Sequence, residues 1–368
     1  MKHTSKWLGV ASTAVLAAFG ATSAHATGTL AGTTITNTAS ISYSVSNIAQ
    51  TAATTSNSVV VDRKVTFTLA NVGATTTVTP GQGSLLPATA AYDTFTLTNN
   101  SNDTLDFALA GVNQATGATA QHSGTDAFDV SGITYYIDTN SNGVFDAGDA
   151  AITWVDEVAP DTSKTIFALA NVPLTVTNTQ VSGIVLTASA ELGGTSSTQG
   201  ALLTNSNGAA WIPGTVQTVF NDTAGVSDSA NDGKYSAKGD FTVYAPVLTL
   251  SKLSTIISDP VNGTSFPKAI PGATMEYCVV VQNATGGAPT TALAISDPLP
   301  TTVTYLSAYG IYLNSTYSAG TCGTGTLDSG ANSSFAAATS GNNGTINGTL
   351  NNVSAGGAIA MRFRVTIN

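Results

Sequence analysis

An all-β protein is predicted for this chain, on three observations. β-Branched residues gather in short runs bounded by Gly, Asn and Pro, as strands between turns do. Several runs alternate apolar and polar residues with a period of two, the pattern of a sheet with one buried face. Charged residues are only 9% of the 368, and long Glu/Lys/Leu stretches suited to helices are missing. That length allows two or three domains.

At the N-terminus, Lys2 and Lys6 precede an apolar stretch from Leu8 to Gly20, and Ala24-His25-Ala26 comes next as a small-residue cleavage site. Residues 1–26 therefore read as a secretory leader, with the mature chain starting near Thr27. The apolar stretch is too short for a permanent membrane span, no later window approaches one, and no transmembrane segment is expected in the mature chain. Losing Lys2 and Lys6 leaves nine Lys and Arg against 21 acids, taking the formal charge from −10 to −12. An acidic surface without basic clusters excludes nucleic acid as a partner. The expected location is extracellular or on the cell surface.

Residues 27–61 carry no charge. Ile35, Asn37, Ala39, Ile41, Tyr43 and Val45 fall on one face and mostly Thr and Ser on the other. With a polar turn near Ser46–Gln50 and a return strand over Ser58–Val61, this predicts a hairpin packed on the strands C-terminal to it. The alternative is an extension donated to a neighbouring copy by strand pairing. Further strands are expected over Arg63–Asn71, Tyr92–Asn99 and Gly183–Ala190.

Asp138–Asp149, DTNSNGVFDAGD, has a metal-loop spacing. Oxygen-bearing side chains stand at loop positions 1, 3, 5, 9 and 12: Asp138, Asn140, Asn142, Asp146 and Asp149. Gly143 sits at the sharp turn, and Val144 would offer its carbonyl. The flanks, Ile133–Ile137 and Ala151–Val155, read as strands rather than helices. Hard oxygen ligands favour calcium; the alternative is a plain Asn-Gly turn of solvated acids. In the turn-rich stretch 193–245, Asp222, Asp228, Asp232 and Asp240 fit no ligand loop and read as solvated. Tyr244-Ala245-Pro246 marks a hinge between a first unit, 27–245, and a second, 246–368.

In the second unit, Tyr277, Val279 and Val281 alternate with Glu276, Cys278 and Gln282. A turn comes next at Thr285-Gly286-Gly287, and Ala292–Ile295 restarts a strand that Asp297-Pro298 ends. Pro271, Gly272, Tyr277, Asn283, Asp297, Leu299 and Pro300 give the pattern P-G-x4-Y-x5-N and then D-x-L-P. This resembles the conserved-repeat family called domain of unknown function 11. The resemblance implies immunoglobulin-like β-sandwich repeats of secreted and surface bacterial proteins. Setting Asn99 on Asn283 places Phe95 and Leu97 on Val279 and Val281. It also sets Leu169-Ala-Asn171-Val172 before Gly183–Ala190 against Leu350-Asn-Asn352-Val353 before Ala358–Ile367. Two tandem immunoglobulin-like sandwiches are thus expected, the first with the N-terminal hairpin and insertions.

The two cysteines, Cys278 and Cys322, are an even count in an exported chain and predict one disulfide. It would pin the glycine-rich loop at Cys322 to the outside of the sheet. No nucleophile elbow, phosphate loop or HExxH motif occurs. His122 is the sole histidine after cleavage and reads as exposed beside Asp126. Trp154 and Trp211 read as sandwich aromatics or loop anchors. Lys252, Glu276 and Asn368 resemble an isopeptide constellation of surface sandwiches, but Glu276 reads as solvated on the face opposite Tyr277. The chain thus reads as a non-enzymatic structural component of the bacterial surface or matrix, polymerising through strand pairing. Its partners would be itself or other surface proteins. The alternative is an adhesin or carbohydrate-binding module, with glycans as partners.

Overall fold

The computed structural model describes residues 28–83, 90–291 and 293–368. The leader expected over 1–26 lies outside these residues, as does Ala292. The described residues contain strands and turns but no helix.

Residues 67–243 build two five-stranded sheets. The first runs, in spatial order, Ala150–Ile152, Ser131–Ile137, Thr162–Asn171, Ala91–Asn99 and Phe67–Asn71. The second runs Trp154–Val158, Leu105–Asn113, Val181–Leu192, Lys234–Val243 and Thr76–Val78, the last pair parallel. Alternation explains the layering. Along Ala91–Asn99 every second residue is buried, and Phe95, Leu97, Phe107, Ile166, Leu186 and Phe241 from the two sheets meet in one core.

The second unit repeats this plan. Leu248–Ser258, Thr274–Asn283, Ala358–Ile367, Ile311–Ser315 and Thr326–Leu327 form one sheet, with Val303–Tyr305 also paired to Ala358–Ile367, and Leu293–Pro298, Thr345–Leu350 and Ser333–Ala336 form the other. Val279, Val281, Leu299, Ile346 and Phe363 fill its core. Among the described residues no strand pairing joins the sheets of the two units.

The tandem relation holds in topology, with one correction. Thr274–Asn283 lies between Leu248–Ser258 and Ala358–Ile367, as Ala91–Asn99 lies between Phe67–Asn71 and Thr162–Asn171. The counterpart of Ala358–Ile367 is therefore Thr162–Asn171. Val181–Leu192, which sequence pattern set there, pairs instead with Leu105–Asn113 in the opposite sheet. Both strands are apolar and come after a similar turn, so pattern alone does not separate them.

The equivalence of Asn99 and Asn283 is structural. Each is buried at the end of its central strand. Asn99 Nδ2 donates to the carbonyls of Asp103 and Val158, and its Oδ1 accepts from Ser101 N–H. Asn283 Nδ2 donates to the carbonyls of Ala288 and Val353, while its Oδ1 accepts from Val247 N–H. One amide thus satisfies three backbone groups that burial would otherwise leave without partners.

The N-terminal hairpin forms but does not pack on the sandwich. Thr34–Ile41 pairs antiparallel with Ala53–Val60, and fifteen of these sixteen residues are exposed. Its tip pairs Val45 with Ile48 across Ser46 and Asn47, both at positive φ (50° and 67°), the conformation of a type I′ turn. Only the base is anchored. Ala31 N–H donates to Asn102 O, and Asn102 Nδ2 donates to the carbonyls of Thr29 and Asp62.

Cys278 and Cys322 are joined, with Cα atoms 6.6 Å apart. Cys278 shares an outer-face cluster with Val280 and Ala360, packed by Leu253 and Tyr317 and distinct from the core that holds Val279 and Val281. The bond pins the hairpin of Tyr317–Ser318 and Thr321–Cys322 onto that face.

Removing the disulfide by a double Cys→Ala change should destabilise the second unit by about 4 kcal/mol, from a loop of 44 residues. Asn283→Ala should cost it about 2–3 kcal/mol. Trp154 and Trp211 both lie in the first unit, so the tryptophan-fluorescence transition should stay put while part of the far-UV circular dichroism transition moves to lower denaturant. A matching fall in both signals would contradict this.

Candidate functional site

The acidic loop lies between Ser131–Ile137 and Ala150–Ile152. Its residues converge. Asp138 accepts from the N–H groups of Asn142 and Gly143 at 3.2 and 2.8 Å. Asp149 accepts from Thr139 and Asp146 N–H at 3.0 and 2.8 Å. Asn140 and Asn142 both turn Nδ2 onto Asp146 Oδ2, at 2.9 and 2.8 Å. These amides and the Gly148 N–H hold the Asp146 carboxyl below the usual carboxylate range. Gly143 turns at φ 75°, as a sharp loop bend requires. All six expected ligand positions thus belong to one compact loop, and its donors are three carboxylates, two amides and a carbonyl. The set is oxygen-rich, as calcium ligands are, but Asn140 Oδ1 accepts from Asn142 N–H and Asn142 Oδ1 from Val144 N–H, so exchanging O and N in these amides would set donor against donor.

Sequence reading missed what anchors this loop. Phe145 is 6% exposed and sits among Tyr92, Tyr136 and Phe167, with ring centroids 5.8, 4.9 and 5.9 Å away. A lone aromatic inside an otherwise polar loop was the available signal. A second acidic group also escaped notice: Asp106, Asp156 and Glu157 bring carboxylate oxygens within 4.8 Å of one another. Backbone N–H groups of Gly200, Ser197 and Gly194 donate to them, tying down the loop after Leu192.

Four expectations about charged residues are corrected. His122 is not free in its loop: its Nδ1 lies 2.8 Å from Asp240 Oδ1, and Nε2 lies 3.2 Å from Gly73 O. Asp240 is fully buried, and Asp222 is 2% exposed and accepts from Gly233 N–H, so neither is a solvated turn residue. Asp228 accepts from Gly225 N–H, and Asp232 from the N–H groups of Ser229 and Lys234, while Asp222 also accepts from Asp232 N–H, so Asp222 and Asp232 brace one turn. Glu276 is not solvated either; Arg362, Arg364 and Tyr309 close on it at 3.3, 3.0 and 2.9 Å. Lys252 pairs with Asp297 and lies over the Tyr277 ring, while Asn368 bonds Thr301 and Thr304. The isopeptide constellation is not assembled.

Asp240 continues inward. Its N–H donates to Asp93 Oδ2 at 2.9 Å, in a gap that a β-carbon at Gly239 would fill. Burial pushes the Asp93 carboxyl up to about 6. The hydrogen bond to Asp240 raises the His122 imidazole above its ordinary value. With acceptors at both ring nitrogens, the protonated imidazole is the form that satisfies both.

Among the described residues, two surfaces gather exposed or half-buried apolar side chains. The first is the hairpin. Ile35, Asn37, Ala39 and Ile41 stand directly across from Val59, Asn57, Thr55 and Ala53. This gives one largely apolar face, against a Thr/Ser face on the other side. Ile41 is 64% exposed, Val45 57% and Ile48 66%. The second is a groove of about 750 Å³ where the two sheets of the first unit end side by side. The edge strands Ala150–Ile152 and Trp154–Val158 are separated by Thr153 alone, and among the described residues neither has a partner on its outer side. Ile133, Tyr135, Ile137 and Ile152 point at the core yet are only partly buried. Tyr135 spans the gap to Gly111 of the opposite sheet, where a β-carbon would lie 2.5 Å from its hydroxyl. Trp154 lies along the groove and Trp211 in an exposed loop.

No protein-family model and no curated protein matches this chain. Among solved structures it is similar to the C-terminal domain of the Streptococcus agalactiae AgI/II polypeptide BspA, at 8% identity over 82% of this chain and 91% of that one, with a TM-score of 0.32. It is also similar to the CupB6 tip adhesin from Pseudomonas aeruginosa, at 14% identity over 82% of this chain and 87% of that one, with a TM-score of 0.26.

The titrating groups give a pH dependence of definite sign. His122, raised in the fold, contributes fully below its unfolded value of 6.5 and loses that contribution as pH climbs through the folded value. Asp93 resists ionising in the fold, so stability falls as pH rises from 3.8 through about 6. The first unit should therefore be more stable at pH 5 than at pH 8, by about 1 kcal/mol from Asp93 alone. Asp93→Asn and His122→Ala should each flatten the melting temperature against pH. A wild-type melting temperature level or falling from pH 8 to pH 5 would contradict this.

Proposed function

We propose that this chain is a non-enzymatic building block of the bacterial cell surface or extracellular matrix that self-associates through its N-terminal hairpin. Its uncharged strands carry an apolar face that nothing among the described residues covers. A lone two-stranded ribbon is marginal in water. An uncharged edge is what soluble proteins avoid unless it has a partner. Burying its six large apolar side chains offers roughly 10 kcal/mol before the costs of association. The exported leader read from the sequence, the sandwich tandem and the disulfide agree with an extracellular setting. A second reading, an adhesive module for glycans, is favoured by the groove's aromatic residues Tyr135 and Trp154, with Asp156 and Lys164 beside them.

Calcium belongs to this proposal as a loop stabiliser, held by Asp138, Asn140, Asn142, Asp146, Asp149 and the Val144 carbonyl. Extracellular calcium sites have dissociation constants of roughly 10⁻⁴ to 10⁻³ M.

The mature protein should assemble with rising concentration in sedimentation and electron microscopy. Ile41→Lys with Val45→Lys should keep it monomeric at concentrations tenfold higher, with unchanged circular dichroism because both sites are exposed. Equal assembly by variant and wild type would refute the hairpin's role. A strictly monomeric wild type that binds a glycan array, and loses binding on Trp154→Ala, would favour the adhesive reading. Separately, 10 mM calcium should stabilise the first unit by about 1.4–2.7 kcal/mol relative to chelator. Asp138→Ala should abolish that gain; no calcium effect on wild type would remove the metal from the proposal.

A further inference from the structure

We infer that the groove at the open edge of the first sandwich is the acceptor for the hairpin of a second copy of this chain. This rests on the self-association proposed above and names the surface that receives the hairpin. The groove is a gap in a layered fold. The two sheets end side by side in strands with unpaired outer edges. Ile133, Tyr135, Ile137 and Ile152 face the core but are left partly open to solvent. A covering strand is what a sandwich places at such a position, because it satisfies the edge N–H and C=O groups and the apolar side chains together.

The hairpin has what the gap lacks. Its strands are eight residues each, roughly 27 Å at 3.4 Å per residue. That exceeds the seven and five residues of Ser131–Ile137 and Trp154–Val158 along the groove. Its free edge can continue either sheet. Its face of Ile35, Ala39 and Ile41 then lies on the groove, and the Thr/Ser face, where Thr36 and Ser58 hydroxyls bond at 2.8 Å, meets water. That is the one-sided pattern of a strand at a sheet surface. With no charge from Thr27 to Val61, no ionic group of the hairpin loses its hydration on docking, and the charges at the groove are Asp156 and Lys164. A hairpin–groove contact is heterologous, so each copy keeps one free donor and one free acceptor, and the assembly grows as an open filament.

The test uses the intact mature chain, in which both described cysteines are already paired, so an introduced thiol is unique. Ile41→Cys on the hairpin and Ile152→Cys in the groove are purified reduced and mixed under mild oxidation. Val261→Cys, at a site 78% exposed in the second unit, serves as control. A covalent dimer of Ile41→Cys with Ile152→Cys, at least tenfold above the dimer of Ile41→Cys with Val261→Cys, is expected. Dimers formed only between two Ile41→Cys chains would overturn the acceptor while leaving hairpin-driven assembly standing. An internal crosslink in dilute double variant Ile41→Cys/Ile152→Cys would show the hairpin closing on its own groove and would also overturn the inference. No crosslink, together with a wild type monomeric at every concentration, would overturn this inference and the self-association beneath it.

Discussion

A strand with one apolar face must bury that face, and in this protein the burial comes from a second sheet laid across the first. The order in the chain depends on it. Phe67, Phe95 and Leu97 exist as core residues because Phe107, Leu186 and Phe241 stand opposite them. Val279 and Val281 meet Leu299, Ile346 and Phe363 in the same way. Where the opposite sheet runs out, at Ala150–Ile152 and Trp154–Val158, half-buried side chains mark the deficit. Where no sheet of the described residues lies opposite, at Thr34–Ile41 and Ala53–Val60, all but one residue is exposed. The functional reading is the statement that these two deficits, one of cover and one of core, belong together.

Turns and ends are fixed by polar groups that close the sandwich without loosening it. Asn99 and Asn283 do the same task 184 positions apart, each saturating three backbone groups at the end of a central strand. Glu276 shows how a charge is accommodated outside the core: two guanidinium groups and a phenol surround it, and Arg364 in turn stacks 4.0 Å from the centre of the Tyr309 ring. Paired and hydrogen-bonded in this way, a half-buried charge avoids the cost of an isolated one.

What the sequence made legible was local. Period-two alternation located Tyr92–Asn99 and Tyr277–Asn283, and it put Cys278 on the face away from Val279, which is why the disulfide is expected outside the core and lies there. Ligand spacing picked out Asp138–Asp149 as one folded loop. Pairings across long stretches of chain were not legible. His122 and Asp240 are 118 residues apart, and Glu276 meets Arg364 from 88 residues away; nothing in the neighbouring sequence of either acid reports its partner. The swap between Thr162–Asn171 and Val181–Leu192 has the same origin, since two apolar strands differ in their neighbours rather than in their patterns. The hairpin's sequence demanded a covered face, and the expectation placed that cover in the same chain; the described residues supply none.

Amide hydrogen exchange at residues 34–60, compared between dilute monomer and assembled protein, tests the central claim most directly. If the hairpin's exposed face and edge are completed by another copy, these amides exchange fast in the monomer and are protected in the assembly, with new protection at 150–158 alongside. Fast exchange in both states, or full protection already in the monomer, would contradict it.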